Sequence, residues 1–233
     1  MEPGIELRTF YGHTEVLTSV ALSGDGAVLA SASQYETDAR LWDPRAGTAV
    51  RLGHPFGIRC LALTPDVVLV TSCGEKFIGS SPTSYLTFWD VPTRERIGAV
   101  YGEVFRESLA FTADGRRLAV GVTEGDFDSS PPNVRGMVEI WDVASQRREV
   151  CWQAHAYDPV ALSFTGDAYR LATGSLDTRV KLWGVADQRL EAEFCDQQHP
   201  VWDVAISEDG RWLASGGGQT NTAELHLWDL AGK

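Results

Sequence analysis

The chain has 233 residues, of which 43% are hydrophobic and 22% charged, with 23 glycines. That is the profile of a folded protein with room for one large core or two small ones, and it excludes a disordered chain. A net charge of −12 repels phosphate backbones and anionic lipid, so nucleic-acid and membrane partners are not expected and a basic partner is favoured. No stretch approaches the ~20 apolar residues of a membrane helix. The opening MEPGIELRTF has no basic run followed by an apolar one, so no secretory leader is expected. Cys60, Cys73, Cys151 and Cys195 lack a C-x-x-C spacing and read as reduced thiols of a cytoplasmic protein.

Taken in chain order, the predicted elements repeat. The first unit opens at Gly12-His13 and runs through VALSGDG (20–26), VLASAS (28–33) and ARLWD (39–43). The second opens at Gly53-His54, with LALTPD (61–66), LVTSC (69–73) and LTFWD (86–90). The third has Glu103 where the histidine would stand, then LAFTADG (109–115), RLAVGV (117–122) and VEIWD (138–142). The fourth opens at Ala154-His155, followed by LSFTGD (162–167), RLATGS (170–175) and VKLWG (180–184). The fifth opens at Gln198-His199, followed by VAISEDG (204–210), WLASGG (212–217) and LHLWD (225–229). Alternating apolar and polar residues over four to six positions mark half-buried strands, and the Asp-Gly and Pro-Asp turns join them as hairpins. No window keeps a helical period. Units this small cannot bury their apolar faces singly, so they must pack on one another.

The Gly-His openings, the S-x-D-G turns and the Leu-Trp-Asp endings resemble the WD-repeat (Trp-Asp) family, from Leu7 to Asp229. The resemblance implies an all-β propeller of five four-stranded antiparallel blades forming one domain over 1–233. The units are about 11–52, 53–101, 102–153, 154–197 and 198–233 plus 5–10. In this family the N-terminal strand closes the last blade, so IELRTF (5–10) is expected beside ELHLWD (224–229). Closure would remove two exposed strand edges. Five blades also allow an open ring completed by another chain, or a piece of a longer protein, and the oligomeric state stays open.

The resemblance also implies a structural tetrad of hydrogen-bonded side chains inside each blade. Only the fourth unit matches it fully, with His155, Thr173, Asp177 and Trp183. The first has His13, Ser31 and Trp42, but Asp38 stands four residues before the tryptophan instead of six. The second has His54, Thr71 and Trp89 without the Asp, and the fifth His199, Ser215 and Trp228 with glycines in its place. Ser/Thr, His and Asp together invite a hydrolytic reading. Their spacing is that of the tetrad, though, and no G-x-S-x-G elbow, phosphate loop or H-E-x-x-H accompanies them. No catalytic residue, cofactor or metal is expected.

Binding is expected on the face carrying the turns between second and third strands, called the top. Those turns look long at Cys73–Tyr85, Val122–Arg135 and Gly216–Thr222, and loops on a rigid frame concentrate recognition. In the family, residues flanking the first apolar position of each inner strand contact partners. Here these are Thr18, Arg59, Phe105, Glu107, Asp158, Val160 and Trp202. With Glu75, Glu124, Asp126 and Asp128 on the same face, an acidic rim around aromatic anchors is expected to hold a basic peptide or protein. Trp202 shares parity with Val204 and Ile206, so a core position is an equal expectation for it. The reading is a non-catalytic protein-interaction scaffold. The alternatives are an enzyme or small-ligand propeller using the central channel, and a partial propeller completed by another chain.

Overall fold

A computed structural model describes residues 8–66, 68–75, 83–102, 104–126, 129, 133–195 and 197–231. Five antiparallel sheets follow one another along the chain, each with its strands in sequence order. The first holds β1 (Ser19–Leu22), β2 (Leu29–Ala32), β3 (Asp38–Trp42) and β4 (Ala49–Gly53). The second holds β5 (Ile58–Leu63), β6 (Val68–Glu75), β7 (Thr83–Asp90) and β8 (Glu95–Gly102). The third holds β9 (Phe105–Phe111), β10 (Arg117–Asp126), β11 (Asn133–Asp142) and β12 (Arg147–His155). The fourth holds β13 (Pro159–Phe164), β14 (Arg170–Ser175), β15 (Val180–Gly184) and β16 (Leu190–Phe194). The fifth has three strands among the described residues, β17 (Val201–Ile206), β18 (Trp212–Gln219) and β19 (Thr222–Asp229). The described residues form no helix, so none is long and apolar enough to cross a membrane.

Side-chain hydrogen bonds fix the tight turns. In the turn after four of the five inner strands a hydroxyl bonds an aspartate two residues on: Ser23 to Asp25, Thr112 to Asp114, Thr165 to Asp167 and Ser207 to Asp209, all at 2.6–2.7 Å. The same hydroxyls accept backbone N–H groups such as that of Val28 at 2.9 Å. This is the local competition for backbone groups that favours turns over longer strands. The aspartate that follows the tryptophan works likewise in the next turn. Asp43, Asp90 and Asp142 accept backbone N–H groups from Arg45, Thr93 and Ser145 at 2.7 Å each.

Packing runs from sheet to sheet. On the third strands of the second to fifth sheets the tryptophan turns toward the preceding sheet, and on those of the first four the residues one and three before it turn toward the following one. Ala39 and Leu41 thus meet Leu69 and Trp89; Leu86 and Phe88 meet Leu118, Val120 and Trp141. Val138 and Ile140 meet Leu171 and Trp183, and Val180 and Leu182 meet Val204, Leu213 and Trp228. Four apolar cores therefore join five sheets.

The expected fourth strand of the last sheet is not formed among the described residues. Residues 5–7 lie outside them, and residues 8–10 carry no strand. The Phe10 ring instead packs on Trp42 of the first sheet, 5.2 Å between centroids.

Phe88 is fully buried between two sheets whereas Leu225 is 82% exposed. Phe88→Ala should cost about 3–5 kcal/mol of unfolding free energy. Leu225→Ala in dilute solution should change it by less than about 0.5 kcal/mol. Urea denaturation of both variants checks the assignment of inner and outer faces.

Candidate functional site

The fourth-sheet tetrad is assembled. The Trp183 indole donates to Thr173 Oγ1 at 3.1 Å, the Thr173 hydroxyl reaches His155 Nε2 at 2.7 Å, and His155 Nδ1 meets Asp177 Oδ2 at 3.0 Å. Asp177 also accepts the backbone N–H groups of Ala156 and Arg179. Thr173 is completely buried, so its hydroxyl cannot meet a substrate carbonyl. The chain of donors ends in a backbone brace, and it is a satisfied buried network.

The other sheets reach the same end with different residues. In the first, Trp42 donates to Ser31 at 2.8 Å, Ser31 bonds His13 at 2.7 Å, and His13 Nδ1 pairs with Glu36. Glu36, absent from the expected set, stands six residues before Trp42, the offset of Asp177 before Trp183. It also accepts the Thr14 N–H at 2.8 Å, as Asp177 accepts that of Ala156. Burial pushes Glu36 up, but the bonds from Thr14 and His13 outweigh it and hold the carboxyl down at about 2. In the second sheet, His54 Nδ1 donates to Leu52 O at 2.8 Å in place of a carboxylate.

In the fifth, the expected His199 is not the member. Gln197, eighteen residues before Ser215 as His155 is before Thr173, donates its amide N–H to the Ser215 hydroxyl. His199 lies 3.8 Å from Glu224. In the third, Val120 takes the Ser/Thr place across from Glu139. There Trp141 donates to Glu139 at 2.9 Å, and Arg148 neutralises that buried carboxylate at 2.6 Å. Glu103 lies outside the described residues.

On the top face the inner strands share an irregularity. The pairing register skips one residue in β5 between Ile58 and Cys60, in β9 between Arg106 and Ser108, in β13 between Pro159 and Ala161, and in β17 between Val201 and Asp203. The skipped residues are Arg59, Glu107, Val160 and Trp202. Each is the extra residue of a β-bulge, which re-aims its side chain away from the ladder. The bulge breaks the parity that would have buried Trp202. Val201 and Val204 are buried, while the indole is 57% exposed and donates to Gly218 O at 2.9 Å.

Three of the expected residues touch one another. Arg59 Nη1 reaches both Glu107 oxygens at 3.0 and 3.1 Å, and its guanidinium lies 4.7 Å from the centre of the Phe105 ring. Burial pushes Glu107 up, Arg59 pulls it down, and nearby Asp158 pushes it up again, leaving it above its ordinary value. Asp158 accepts the Thr123 hydroxyl at 2.8 Å, and Thr18 donates to Ile58 O at 2.9 Å across the first two sheets. Trp202 stands at the last sheet beside Gly218, and Val160 is half-buried.

Two of the acidic residues expected at the rim have partners within the chain. Glu124 pairs with Arg135 at 3.2 Å, and Asp126 accepts the Ser129 N–H at 3.2 Å. Asp128 and the Glu75 side chain lie outside the described residues. Much of the expected loop length is strand, because the ladder continues to Glu75↔Thr83, Asp126↔Asn133 and Gln219↔Thr222. Next to Arg59 a cleft of about 510 Å³ opens between the first two sheets, lined by Tyr35, Phe56 and Gly57 among others. A Cβ on Gly57 would lie 1.7 Å from the Gln34 carbonyl oxygen, so only glycine lets this link run so close. Neither Tyr35 nor Phe56 was among the expected residues, although both belong to segments bordering the repeat signatures.

Burial keeps His54 and His155 below the ordinary imidazole value, against the hydrogen bonds that raise them. An unfolded histidine gains its proton near pH 6.5, so acidification through that range favours the unfolded chain. Carboxylates such as Asp177, whose bonds to His155 hold it low against burial, lose stabilisation only at lower pH, below about 4. The urea midpoint should therefore fall between pH 7.5 and 5.5, and the fall should shrink in His54→Gln, which mimics Gln197. An unchanged pH dependence in that variant would contradict the assignment.

The sequence matches the family described as WD domain, G-beta repeat, over residues 4–43, 147–184 and 190–229, together just over half of the chain. It is 25% identical to Pre-mRNA-processing factor 19 of Oryza sativa subsp. japonica, over 94% of this chain and 40% of that protein. It is 26% identical to Guanine nucleotide-binding protein subunit beta-1 of Nicotiana tabacum, over 76% and 46%. It is 25% identical to WD repeat-containing protein WDS homolog of Arabidopsis thaliana, over 99% and 42%. The chain spans less than half the length of each of these relatives. With five consecutive antiparallel sheets, the packed tryptophans and the repeat match, this chain belongs to the WD-repeat family.

Proposed function

We propose that the chain is a non-catalytic protein-interaction scaffold that receives a basic peptide or protein segment on its top face. The observation that carries the reading is the row of bulged residues, Arg59, Glu107, Val160 and Trp202. Side chains at bulges are re-aimed away from the strand ladder, which suits them to recognition on a fixed frame.

The exposed Trp202 indole on the fifth sheet, and separately the tyrosine and phenylalanine lining the cleft between the first two sheets, are the apolar anchors typical of interface hot spots. Glu107 and Asp158 supply the negative charge. The Arg59–Glu107 pair would open to admit an incoming lysine or arginine, exchanging one cation for another at Glu107. The net charge of −12 adds long-range attraction for such a segment, weakening as salt rises.

An array of peptides of varied charge, probed with the purified protein, tests the reading. Lys- and Arg-rich peptides should be retained, with binding falling between 50 and 500 mM salt. Trp202→Ala and Glu107→Gln should each weaken the retained peptides by about tenfold or more. Retention of acidic or neutral peptides alone, or binding untouched by both substitutions with the fold intact, would dismiss the top face.

A further inference from the structure

The pair of Arg59 and Glu107 is unevenly made. A guanidinium can offer a carboxylate two nitrogens side by side, yet here Nη1 alone reaches both Glu107 oxygens, at 3.0 and 3.1 Å. Among the described residues Arg59 Nε is buried and has no acceptor. The guanidinium lies 4.7 Å from the centre of the Phe105 ring, a contact that holds it whichever carboxylate it meets. The Arg59 side chain is 31% exposed and that of Glu107 only 16%. The arginine is thus the more accessible partner, and it keeps unused donors.

The cleft of about 510 Å³ beside Arg59 complements those donors. Its described lining includes Gln34, Tyr35, Thr37 and Phe56 but no acidic side chain, and Arg59 forms part of the wall. The two hydroxyls and the amide can donate to an anion. On the other side, Glu107 lies close enough to Asp158 for the two carboxylates to act on each other. Charge therefore changes sign along the row, positive at the cleft between the first two sheets and negative at the third and fourth.

A lysine that displaces Arg59 re-pairs the glutamate but leaves a part-buried guanidinium without a partner, which is strongly unfavourable. A carboxylate arriving at the same time removes that penalty. We propose that the segment received on the top face carries an acidic residue as well as the basic one, its carboxylate held in the cleft by Arg59 while the basic side chain takes Glu107. This deepens the top-face reading and rests on it. Sheets stacked about 10 Å apart, and an extended chain rising about 3.3 Å per residue, place the two charges about three residues apart. A purely basic segment must break the internal pair and gives the arginine nothing in exchange, so the pair selects against it.

Fluorescence polarisation tests this with a labelled twelve-residue peptide of four lysines among glutamines, and with versions in which one glutamine is changed to glutamate. Every such version carries less positive charge, so attraction by a chain of charge −12 favours the parent peptide. The expected result has the opposite sign at one or two positions about three residues from a lysine. There binding should be roughly tenfold tighter than that of the parent. Arg59→Gln should abolish this gain and bind the parent several-fold tighter, because Glu107 is then vacant. Arg59→Lys should keep part of the gain. Unchanged urea midpoints show that the variants fold, and should one unfold, the peptide series on the unaltered protein decides the question by itself. If no glutamate version binds tighter than the parent, or if the gain persists in Arg59→Gln, the paired-charge proposal is overturned while binding of the parent preserves the top-face reading. Binding of none of the peptides removes both.

Discussion

The whole molecule depends on one constraint: each sheet has two apolar faces and neither can be buried within the sheet. Strand pairing satisfies the backbone, but it leaves Leu86 and Phe88 on one side of β7 and Trp89 on the other, where only a neighbouring sheet can cover them. The fold is thus a relay, each sheet lending one face forward and one back. Stability in such arrays is a sum of units and of the contacts between neighbours.

The tetrads make sense within that relay. The tryptophan that packs on the preceding sheet carries an N–H that must be satisfied where water does not reach, and four different solutions appear in five sheets. His155 with Asp177, His13 with Glu36, His54 with a carbonyl, and Glu139 with Arg148 each meet the same need. What stays constant is the demand for an acceptor at the indole, with the histidine a frequent but replaceable intermediary. In the fifth sheet Gln197, a group that never titrates, stands at the histidine's place and bonds Ser215.

Most of the frame could be read from residue order because turn chemistry and strand alternation are local. The Asp-Gly turns, the strand pairs and the tryptophan endings fall where the alternation puts them. The sites were legible only in part. Glu36 has the six-residue offset from Trp42 but is a glutamate where the pattern has aspartate, so residue type hides its role while spacing shows it. Parity left Trp202 open between a core and a partner-facing position because a bulge leaves no trace in an apolar pattern. The pairing of Arg59 with Glu107 and of Arg135 with Glu124 was not legible in the sequence, because each arginine approaches from another strand and such pairings are set by tertiary geometry. The turns looked longer because a ladder through Gly-rich sequence, as at Gly216–Gly218, carries little strand propensity of its own.

The bulged residues are skipped by the strand ladder and belong to none of the four apolar cores, so the four positions are less tightly constrained than the frame around them. A lineage can exchange an arginine, a glutamate, a valine or a tryptophan there and keep its architecture intact. Recognition in this scaffold is therefore free to drift faster than the scaffold itself, and chains with nearly superimposable sheets need share no common ligand.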